Sequence, residues 1–217
     1  FRLNFSHSKH EAHAAVIQHI QEINKKYNLH IGILADLQGP KLRVGEIANN
    51  ALALAPGDVI TMVNEPVVGT MEKIYMSYEQ FAEDCEVGER IMMDDGKLVF
   101  EVVETNKTNT VRLKCLHGGI LSSNKGVNLP DTNVKLPSMT EKDREDLEFI
   151  LTQPVNWIAL SFVRRAEDLT DLRRIVEHRK HPAKIMAKIE KPEAVKNIRR
   201  IVQAANGVMV ARGDLGV

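Results

Sequence analysis

The sequence has little of several residue types, and each shortage excludes a class of protein. Cysteine occurs only at Cys85 and Cys115, without a C-x-x-C spacing, so a disulfide framework or a zinc ribbon is not expected. We predict that both cysteines are free thiols without a metal or redox role, in a reducing compartment. No apolar run approaches the roughly 20 residues that cross a bilayer, and the N-terminus lacks the layout of a secretory signal. These absences predict a cytoplasmic protein without a membrane partner.

Excess charge is also missing. Lys plus Arg and Asp plus Glu both total 29 residues, so no global positive field is present to hold nucleic acid, and we expect no nucleic-acid partner. Hydrophobic residues make up 43% of the chain, which is typical of a globular protein rather than a disordered one. An initiator Met is missing as well: Phe1 opens the sequence "FRLNFSH", which resembles the end of a strand. We therefore expect a fragment.

The first 43 residues have an α/β pattern. "SKHEAHAAVIQHIQEINKKYN" predicts an amphipathic helix, with Ser8 and Glu11 as a capping box. The predicted buried face consists of residues at helical spacing: Ala12, Val16, Ile20, Ile23 and Tyr27. The apolar run Leu29 to Asp36 then predicts a strand that is covered on both faces, as in a parallel sheet.

Residues 44–136 have a different pattern. Turn signals such as "PGD", "DDG" and "NKTN" separate short β-branched runs, and little helical periodicity is present. We predict an inserted all-β domain, since a structureless loop of this length is uncommon in a compact protein.

Residues 137–217 return to the α/β pattern. Thr140 is a predicted helix cap, Pro192 suits a first helical turn, and Asn206-Gly207 suits a left-handed helix end. The helix after Pro192 is predicted to bury Val195, Ile198 and Val202. The predicted strands are Asn156 to Val163, Ala183 to Glu190, and Val208 to Ala211.

Strands that alternate with helices predict parallel strands joined by right-handed crossovers. No glycine-rich phosphate turn follows the first strand, which disfavours a doubly wound sheet. The pattern contains five such strands, whereas a (β/α)8 barrel needs eight. We therefore predict an α/β fold: a partial (β/α)8 TIM barrel with the inserted domain.

Polar residues cluster at or just past the carboxyl ends of the predicted strands, where α/β barrels have their catalytic rim. They are Asn4, Ser6, Asp36, Arg164, Lys188, Glu190, Arg212 and Asp214. Two carboxylates on neighbouring strands, Glu190 and Asp214, repel each other unless one is protonated or a cation lies between them, and oxygen ligands suit Mg²⁺ or Mn²⁺. With Lys188 and Arg2 nearby, the site would bind an anion such as a phosphate or an enolate.

Simpler interpretations stay open. A Lys188–Glu190 pair at a strand end also occurs as a structural ion pair. His7, His10 and His13 recur every three residues, but a helical zinc pair usually uses a spacing of four and needs a third ligand.

The segments "RLNFSH", "ADLQGPKLR", "DDGKL", "NKGVNLP", "SFVR", "KIMAKIEK" and "VMVARGDLGV" resemble pyruvate kinase in order and spacing over essentially the whole chain. The resemblance implies phosphoryl transfer from phosphoenolpyruvate to ADP, giving pyruvate and ATP in the last step of glycolysis. It also implies that residues 44–136 are an all-β barrel that serves as the lid domain of a barrel enzyme, usually a cytoplasmic homotetramer. By the same resemblance, the segment 137–217 ends after the sixth barrel strand. The fragment's own oligomeric state stays open, and we expect it to be inactive alone.

The resemblance also assigns site residues. Glu190 and Asp214 match the ligands of the essential Mg²⁺ or Mn²⁺, Lys188 matches the lysine that neutralises the transferring phosphoryl group, and Arg2 matches a catalytic arginine that supports the phosphates. The main-chain N–H groups of Gly213 and Asp214 match the substrate-carboxylate loop. The residues that match nucleotide-binding positions are Asn4, His7, Arg43 and Lys125.

Asn4, Ser6, Asp36 and the carbonyl of Leu37 match the potassium site of the family. Potassium-dependent members carry Thr, Lys and Glu where "DLQGPK" has Leu37, Gln38 and Lys41. The pattern resembles the potassium-independent subgroup, in which a lysine ammonium supplies the charge of the ion. We therefore expect Lys41 to make K⁺ unnecessary. A metal-dependent enolpyruvate aldolase or lyase, and a non-catalytic barrel module, are the alternative functions.

Overall fold

The structure, a computed structural model, describes residues 1–132 and 134–215. It divides into two compact units, each described by itself. The first unit consists of Phe1–Pro40 and Pro137–Leu215, and the second of Lys41–Leu136. The predicted second barrel segment extends to Val217, and its last two residues lie outside the described residues.

In chain order, the first unit begins with β1 (Arg2–Asn4), α1 (His10–Tyr27) and β2 (Leu34–Asp36). The second unit then contributes a 3₁₀ turn (Ala48–Asn50), β3 (Leu52–Leu54), β4 (Val59–Val63), β5 (Lys73–Tyr75), α2 (Phe81–Asp84), β6 (Arg90–Met93), β7 (Leu98–Thr105), β8 (Thr110–His117), β9 (Gly119–Leu121) and β10 (Val127–Asn128). The first unit resumes with α3 (Glu141–Ile150), β11 (Trp157–Leu160), α4 (Asp168–His178), β12 (Lys184–Ile189), α5 (Pro192–Lys196), α6 (Ile198–Ala204), β13 (Gly207–Val210) and α7 (Arg212–Leu215).

The first unit is built on a parallel sheet with the strand order β1-β2-β11-β12-β13. Asn4 pairs with Asp36 in register, and Ile189 pairs with Val210. The carboxyl ends of these strands therefore meet at one edge of the sheet, which brings together the side chains that follow them.

The strands are shorter than the apolar runs predict. Leu29 to Asp36 forms a strand only over Leu34–Asp36, and Asn156 to Val163 only over Trp157–Leu160. β1, the partner of β2, is itself only three residues long. Beyond β11, the backbone of Phe162 turns into the left-handed region, with φ at 54°, which ends strand pairing. Ile33 and Val163 are buried without being in strands, so burial rather than strand structure explains the long apolar runs.

The two predicted helix caps have different outcomes. Thr140 caps α3 as predicted, in a capping box with Asp143. The predicted Ser8–Glu11 box is wrong, because α1 begins at His10 and Lys9 is its N-cap. Ser8 precedes that cap and has a left-handed φ of 70°.

The predicted buried face of α1 is also partly wrong. The buried residues are His13, Ile17 and Ile20, whereas Ile23 and Tyr27 are exposed. The imidazole of His13 is buried because it stacks on Phe5, with ring centroids 4.2 Å apart. Aromatic stacking therefore places a histidine on the core face, which an apolar pattern does not predict.

The segment after Pro192 contradicts two predictions. Pro192 does occupy the first turn, but the helix breaks at Asn197 into α5 and α6. Val195, Ile198 and Val202 are exposed, while Ala194 and Ile201 are buried. The predicted left-handed end at Asn206-Gly207 is absent, because α6 ends at Ala204 and the Asn206 carboxamide oxygen accepts a hydrogen bond from the Ile185 N–H at 3.0 Å.

Each unit has its own hydrophobic core. In the first unit the sheet packs against residues of α1, α3, α4 and α6, with Ile33, Leu147, Ile158, Leu172 and Ile201 fully buried. The second unit contains a six-stranded sheet, β10-β6-β7-β8-β4-β5, and a β3-β9 pair. Its core includes Cys85 and Cys115, both free thiols, as predicted. Within the described ranges, no helix is long and apolar enough to cross a membrane.

Candidate active site

Lys188 is at the centre of a charged cluster at the carboxyl edge of the parallel sheet. It lies on β12, one residue before the strand ends, and its side chain is only 10% exposed. Its Nζ lies 3.0 Å from Glu190 Oε1 and 3.3 Å from Asp36 Oδ1, and it donates to Ser161 Oγ at 2.7 Å. The three acceptors match the three N–H donors of an ammonium group.

Asp36 connects Lys188 to Arg2. The Arg2 guanidinium contacts Asp36 Oδ2 through Nε at 2.7 Å and through Nη2 at 2.6 Å. Asp36 is buried, whereas the Arg2 side chain is 52% exposed. The buried carboxylate thus holds the guanidinium in place while half of the arginine side chain faces solvent, where an anion can reach it.

Glu190, two residues after Lys188, is held from two sides. Its Oε2 accepts a hydrogen bond of 2.6 Å from the main-chain N–H of Phe162, and its Oε1 faces Lys188. Burial raises the pKa of Glu190 above its ordinary value, although the charge of Lys188 and the Phe162 N–H lower it in part. The negative charge of Asp214 raises the pKa of Glu190 further.

The two carboxylates fit a divalent cation. The negative charge of Asp214, on α7, acts on Glu190 and raises its pKa. A cation between them would remove this repulsion, and Mg²⁺ is commonly bound by one or two carboxylates while it keeps water and substrate ligands. In the described part of the chain, no group of three or more His, Cys, Asp or Glu residues forms a ligand cluster. Two carboxylates, with water and substrate oxygens as further ligands, are a donor set that suits Mg²⁺.

The predicted monovalent-cation residues of the first unit already have local partners. Asn4 Oδ1 accepts a hydrogen bond from the Ser6 N–H at 3.1 Å, and the Leu37 carbonyl accepts one from Ser161 Oγ at 2.7 Å. Asn4 and Asp36 are register partners on β1 and β2. His7 is exposed, and its carbonyl is 3.0 Å from the buried His13 Nε2.

Lys41, Arg43 and Lys125 belong to the second unit and are neighbours there. Arg43 forms a β-bridge with Gly126, and its Nη1 donates to the Asn124 carbonyl at 2.8 Å. Lys125 Nζ lies 2.8 Å from Asp94 Oδ1, and the pKa of Asp94 is lowered chiefly by this hydrogen bond. A Cβ added at Gly126 would lie 3.6 Å from Lys41 Cε. The second unit thus groups the three predicted basic residues within one region.

Comparison with known proteins identifies the family of the chain. The family model "Pyruvate kinase, barrel domain" matches residues 1–217. The chain belongs to the pyruvate kinase family. It is 44% identical to pyruvate kinase 2 of Synechocystis, covering all of this chain and 37% of that protein. It is 43% identical to pyruvate kinase of Geobacillus stearothermophilus, with the same coverage. It is 39% identical to pyruvate kinase 2 of Trypanosoma brucei brucei, covering 44% of that protein. The chain therefore spans less than half the length of these relatives.

The predicted histidine series has structural partners in this pyruvate kinase family member. His10 Nε2 lies 2.7 Å from Asp146 Oδ1, and its ring stacks on Phe149. His13 instead contacts the carbonyl of His7. The rings of His10 and His13 therefore have different partners.

Sequence reasoning missed three residues beside Lys188 and Glu190. Ser161 and Phe162 follow β11 and contact Lys188 and Glu190, respectively, through a hydroxyl and a main-chain N–H. Both residues lie near the carboxyl end of a predicted parallel strand, and this position could have marked them as candidate site residues. A third missed residue, Lys191, follows Glu190, and burial lowers its pKa, with a further contribution from Arg164.

Proposed function

We propose that this chain carries out, or contributes to, phosphoryl transfer from phosphoenolpyruvate to ADP, giving pyruvate and ATP in glycolysis. The observation that carries the proposal is the buried Lys188 ammonium between Glu190 and Asp36 at the carboxyl edge of the sheet. Family membership supports it, since the relatives are named pyruvate kinases. Because the chain spans only part of those relatives, the substrates and the activity are proposals.

Lys188 and Arg2 supply the positive charge in this proposal. The transition state of phosphoryl transfer spreads negative charge over several oxygens and needs positioned cations more than covalent help. Lys188, held in a largely buried site, would stabilise the transferring group and the enolate oxygen. Arg2, which is half exposed and fixed by Asp36, would bind the phosphate.

Glu190 and Asp214 would hold Mg²⁺ or Mn²⁺, which supplies Lewis-acid charge stabilisation when bound. The main-chain N–H groups of Gly213 and Asp214 would bind the substrate carboxylate. A Cβ added at Gly213 would meet nothing within 4 Å, so the space beside this backbone is open. Open space of this kind lets a ligand approach the main chain.

Further assignments follow the family resemblance. We propose that Asn4, His7, Arg43 and Lys125 bind the nucleotide, and that residues 44–136 are an inserted β-barrel lid domain that excludes water from the transfer. We also propose a cytoplasmic location and a homotetrameric parent protein. These proposals are not needed for the role of Lys188.

Lys41 would make potassium unnecessary, with Asn4, Ser6, Asp36 and the Leu37 carbonyl at the corresponding site. A permanent ammonium group can supply the charge that a bound monovalent cation provides. We expect equal activity in sodium and potassium buffers of matched ionic strength. A large loss of activity on replacing potassium by sodium would contradict the assignment.

A coupled assay tests the main proposal. Pyruvate formation from phosphoenolpyruvate is measured with Mg²⁺, with and without ADP, on this chain and on the longest open reading frame that encodes it. Turnover that requires ADP and Mg²⁺ in either sample supports the proposal. A folded reading frame that binds Mg²⁺ but transfers no phosphoryl group overturns it.

A further inference from the structure

Ser161 has an arrangement that packing alone does not require. It follows β11 and is 1% exposed. Its Oγ lies 2.7 Å from Lys188 Nζ and 2.7 Å from the Leu37 carbonyl oxygen. An ammonium group can only donate, so a lone pair of the hydroxyl points to Lys188. The hydroxyl proton has two acceptors in reach, the Leu37 carbonyl at 2.7 Å and Asp36 Oδ1 at 3.5 Å, and the shorter contact favours Leu37.

The segment that accepts the hydroxyl proton is itself restrained. Gly39 has a left-handed φ of 69°, and a Cβ added there would lie 2.9 Å from Ser161 Cβ. The Gly39 N–H donates to Asp143 Oδ1 at 3.0 Å, and Asp143 also forms the capping box at the start of α3. The Leu37 carbonyl thus belongs to a segment that is held by the start of α3. This carbonyl orients the Ser161 hydroxyl.

The other two partners of Lys188 differ from Ser161 in charge. Glu190 and Asp36 are carboxylates with competing partners, namely the Phe162 N–H together with the proposed metal for Glu190, and Arg2 for Asp36. Ser161 is the neutral partner, since its hydroxyl carries no charge and is not a proposed metal ligand. It can hold Lys188 in place while the carboxylates change partners.

We propose that Ser161 is a positioning residue for Lys188, fixing the ammonium group through a hydrogen-bond chain from the Leu37 carbonyl. The effect on phosphoryl transfer rests on the proposed function, whereas the hydrogen bond itself does not. The two are therefore tested by separate measurements.

The first measurement is ¹H–¹⁵N NMR of the lysine ammonium groups in this chain without ligands. Lys188 should give a slowly exchanging Nζ–H signal, identified by its loss in Lys188→Met. In Ser161→Ala we expect that signal to shift and to exchange faster. Ser138→Ala is the matched control, because Ser138 Oγ also donates to a main-chain carbonyl in the same unit, that of Asp168 at 3.0 Å. An unchanged Lys188 signal in folded Ser161→Ala overturns the proposal.

Folding of the variant is not required for a decision. In the unmodified chain, the Ser161 hydroxyl proton should itself exchange slowly and show a nuclear Overhauser effect to the Lys188 ammonium protons. If Ser161→Ala does not fold, this contact decides the question. A Lys188 ammonium that exchanges as fast as exposed lysines overturns the proposal in the unmodified chain.

The second measurement is steady-state kinetics of the longest open reading frame. Misplacement of a catalytic group by about 1 Å costs up to roughly 100-fold in rate, so Ser161→Ala should lower kcat by about 10- to 100-fold. The KM for ADP should be unchanged. If Ser161 had a purely structural role, Ser161→Ala would lower the unfolding midpoint without lowering kcat selectively over KM. A lowered midpoint with no selective loss of kcat would therefore contradict the positioning role. Absence of activity in the unmodified protein would refute the proposed function, while the NMR result would still decide the role of Ser161.

Discussion

Removing the Lys188 ammonium should destabilise the first unit strongly. In Lys188→Met, the side-chain length is nearly kept, but Glu190 and Asp36 lose a partner at 3.0 Å and 3.3 Å. Removing one member of a buried ion pair costs about 3–5 kcal/mol, because a buried charge is left uncompensated. Because Asp36 keeps its ion pair with Arg2, we expect a cost at the lower end of this range, about 3 kcal/mol. For a unit of this size this corresponds to a fall of roughly 9–15 °C in the unfolding midpoint.

The loss of unfolding free energy in Lys188→Met should depend on pH, because Glu190 titrates. Its folded-state pKa is raised by burial, so the folded state binds more protons than the unfolded state above the ordinary glutamate pKa. Stability therefore falls as the pH rises from that ordinary value toward the folded-state pKa. In Lys188→Met the lowering effect of the ammonium is lost, and the fall extends to higher pH. We expect the difference in unfolding free energy between Lys188→Met and the unmodified chain to increase from acidic to neutral pH.

Tryptophan fluorescence can follow this unfolding, because the single tryptophan, Trp157, lies on β11 of the first unit. Lys196→Met is the matched control, since Lys196 is exposed in the same unit and should cost little. The double variant Lys188→Met/Glu190→Gln should recover part of the stability, because the amide carries no buried charge. A cost below about 1 kcal/mol for Lys188→Met, or no widening with pH, would refute the reasoning.

Two further predictions concern the same edge of the sheet. Gly39→Ala should cost about 1–3 kcal/mol, because an alanine must adopt the φ of 69° and its Cβ would lie 2.9 Å from Ser161 Cβ; an unfolding midpoint equal to that of the unmodified chain would contradict this. Mn²⁺ should raise the unfolding midpoint in proportion to site occupancy, and Glu190→Gln should abolish the effect. Asp94→Asn, in the second unit, serves as the control. An equal Mn²⁺ effect in Glu190→Gln would contradict Glu190 as a ligand, and no Mn²⁺ effect in the unmodified chain would favour a non-catalytic ion-pair cluster.

The proximity of Lys188, Glu190 and Asp36 follows from an α/β pattern, because parallel strands bring their carboxyl ends to one edge. The same reasoning gives no reason to choose Ser161 over Ser6, since both follow strands. What distinguishes Ser161 is the direction of its hydroxyl, which depends on the anchored carbonyl of Leu37. That information is three-dimensional and is absent from residue spacing.

The helix after Pro192 shows a second limit of sequence patterns. An apolar stripe predicts a continuous helix, but the Asn197 side chain donates to the Arg164 carbonyl at 3.0 Å, at the break between α5 and α6. The break changes the rotation of the following turn, so Ile201 is buried and Ile198 is exposed. A single polar contact to a distant carbonyl thus overrides a periodic pattern, as tertiary context often does.

The charges of the site constrain what it can bind. Arg2 and Lys188 offset the charges of Asp36 and Glu190, and Lys191 lies within electrostatic reach of both Glu190 and Asp214. A divalent cation held by Glu190 and Asp214 would add two positive charges, which would attract an anionic ligand. Metal and anion should therefore increase each other's affinity, and linkage requires the two factors to be equal. Calorimetric titration of Mn²⁺ with and without phosphoenolpyruvate measures this coupling, and equal Mn²⁺ affinities in the two titrations would contradict the predicted attraction.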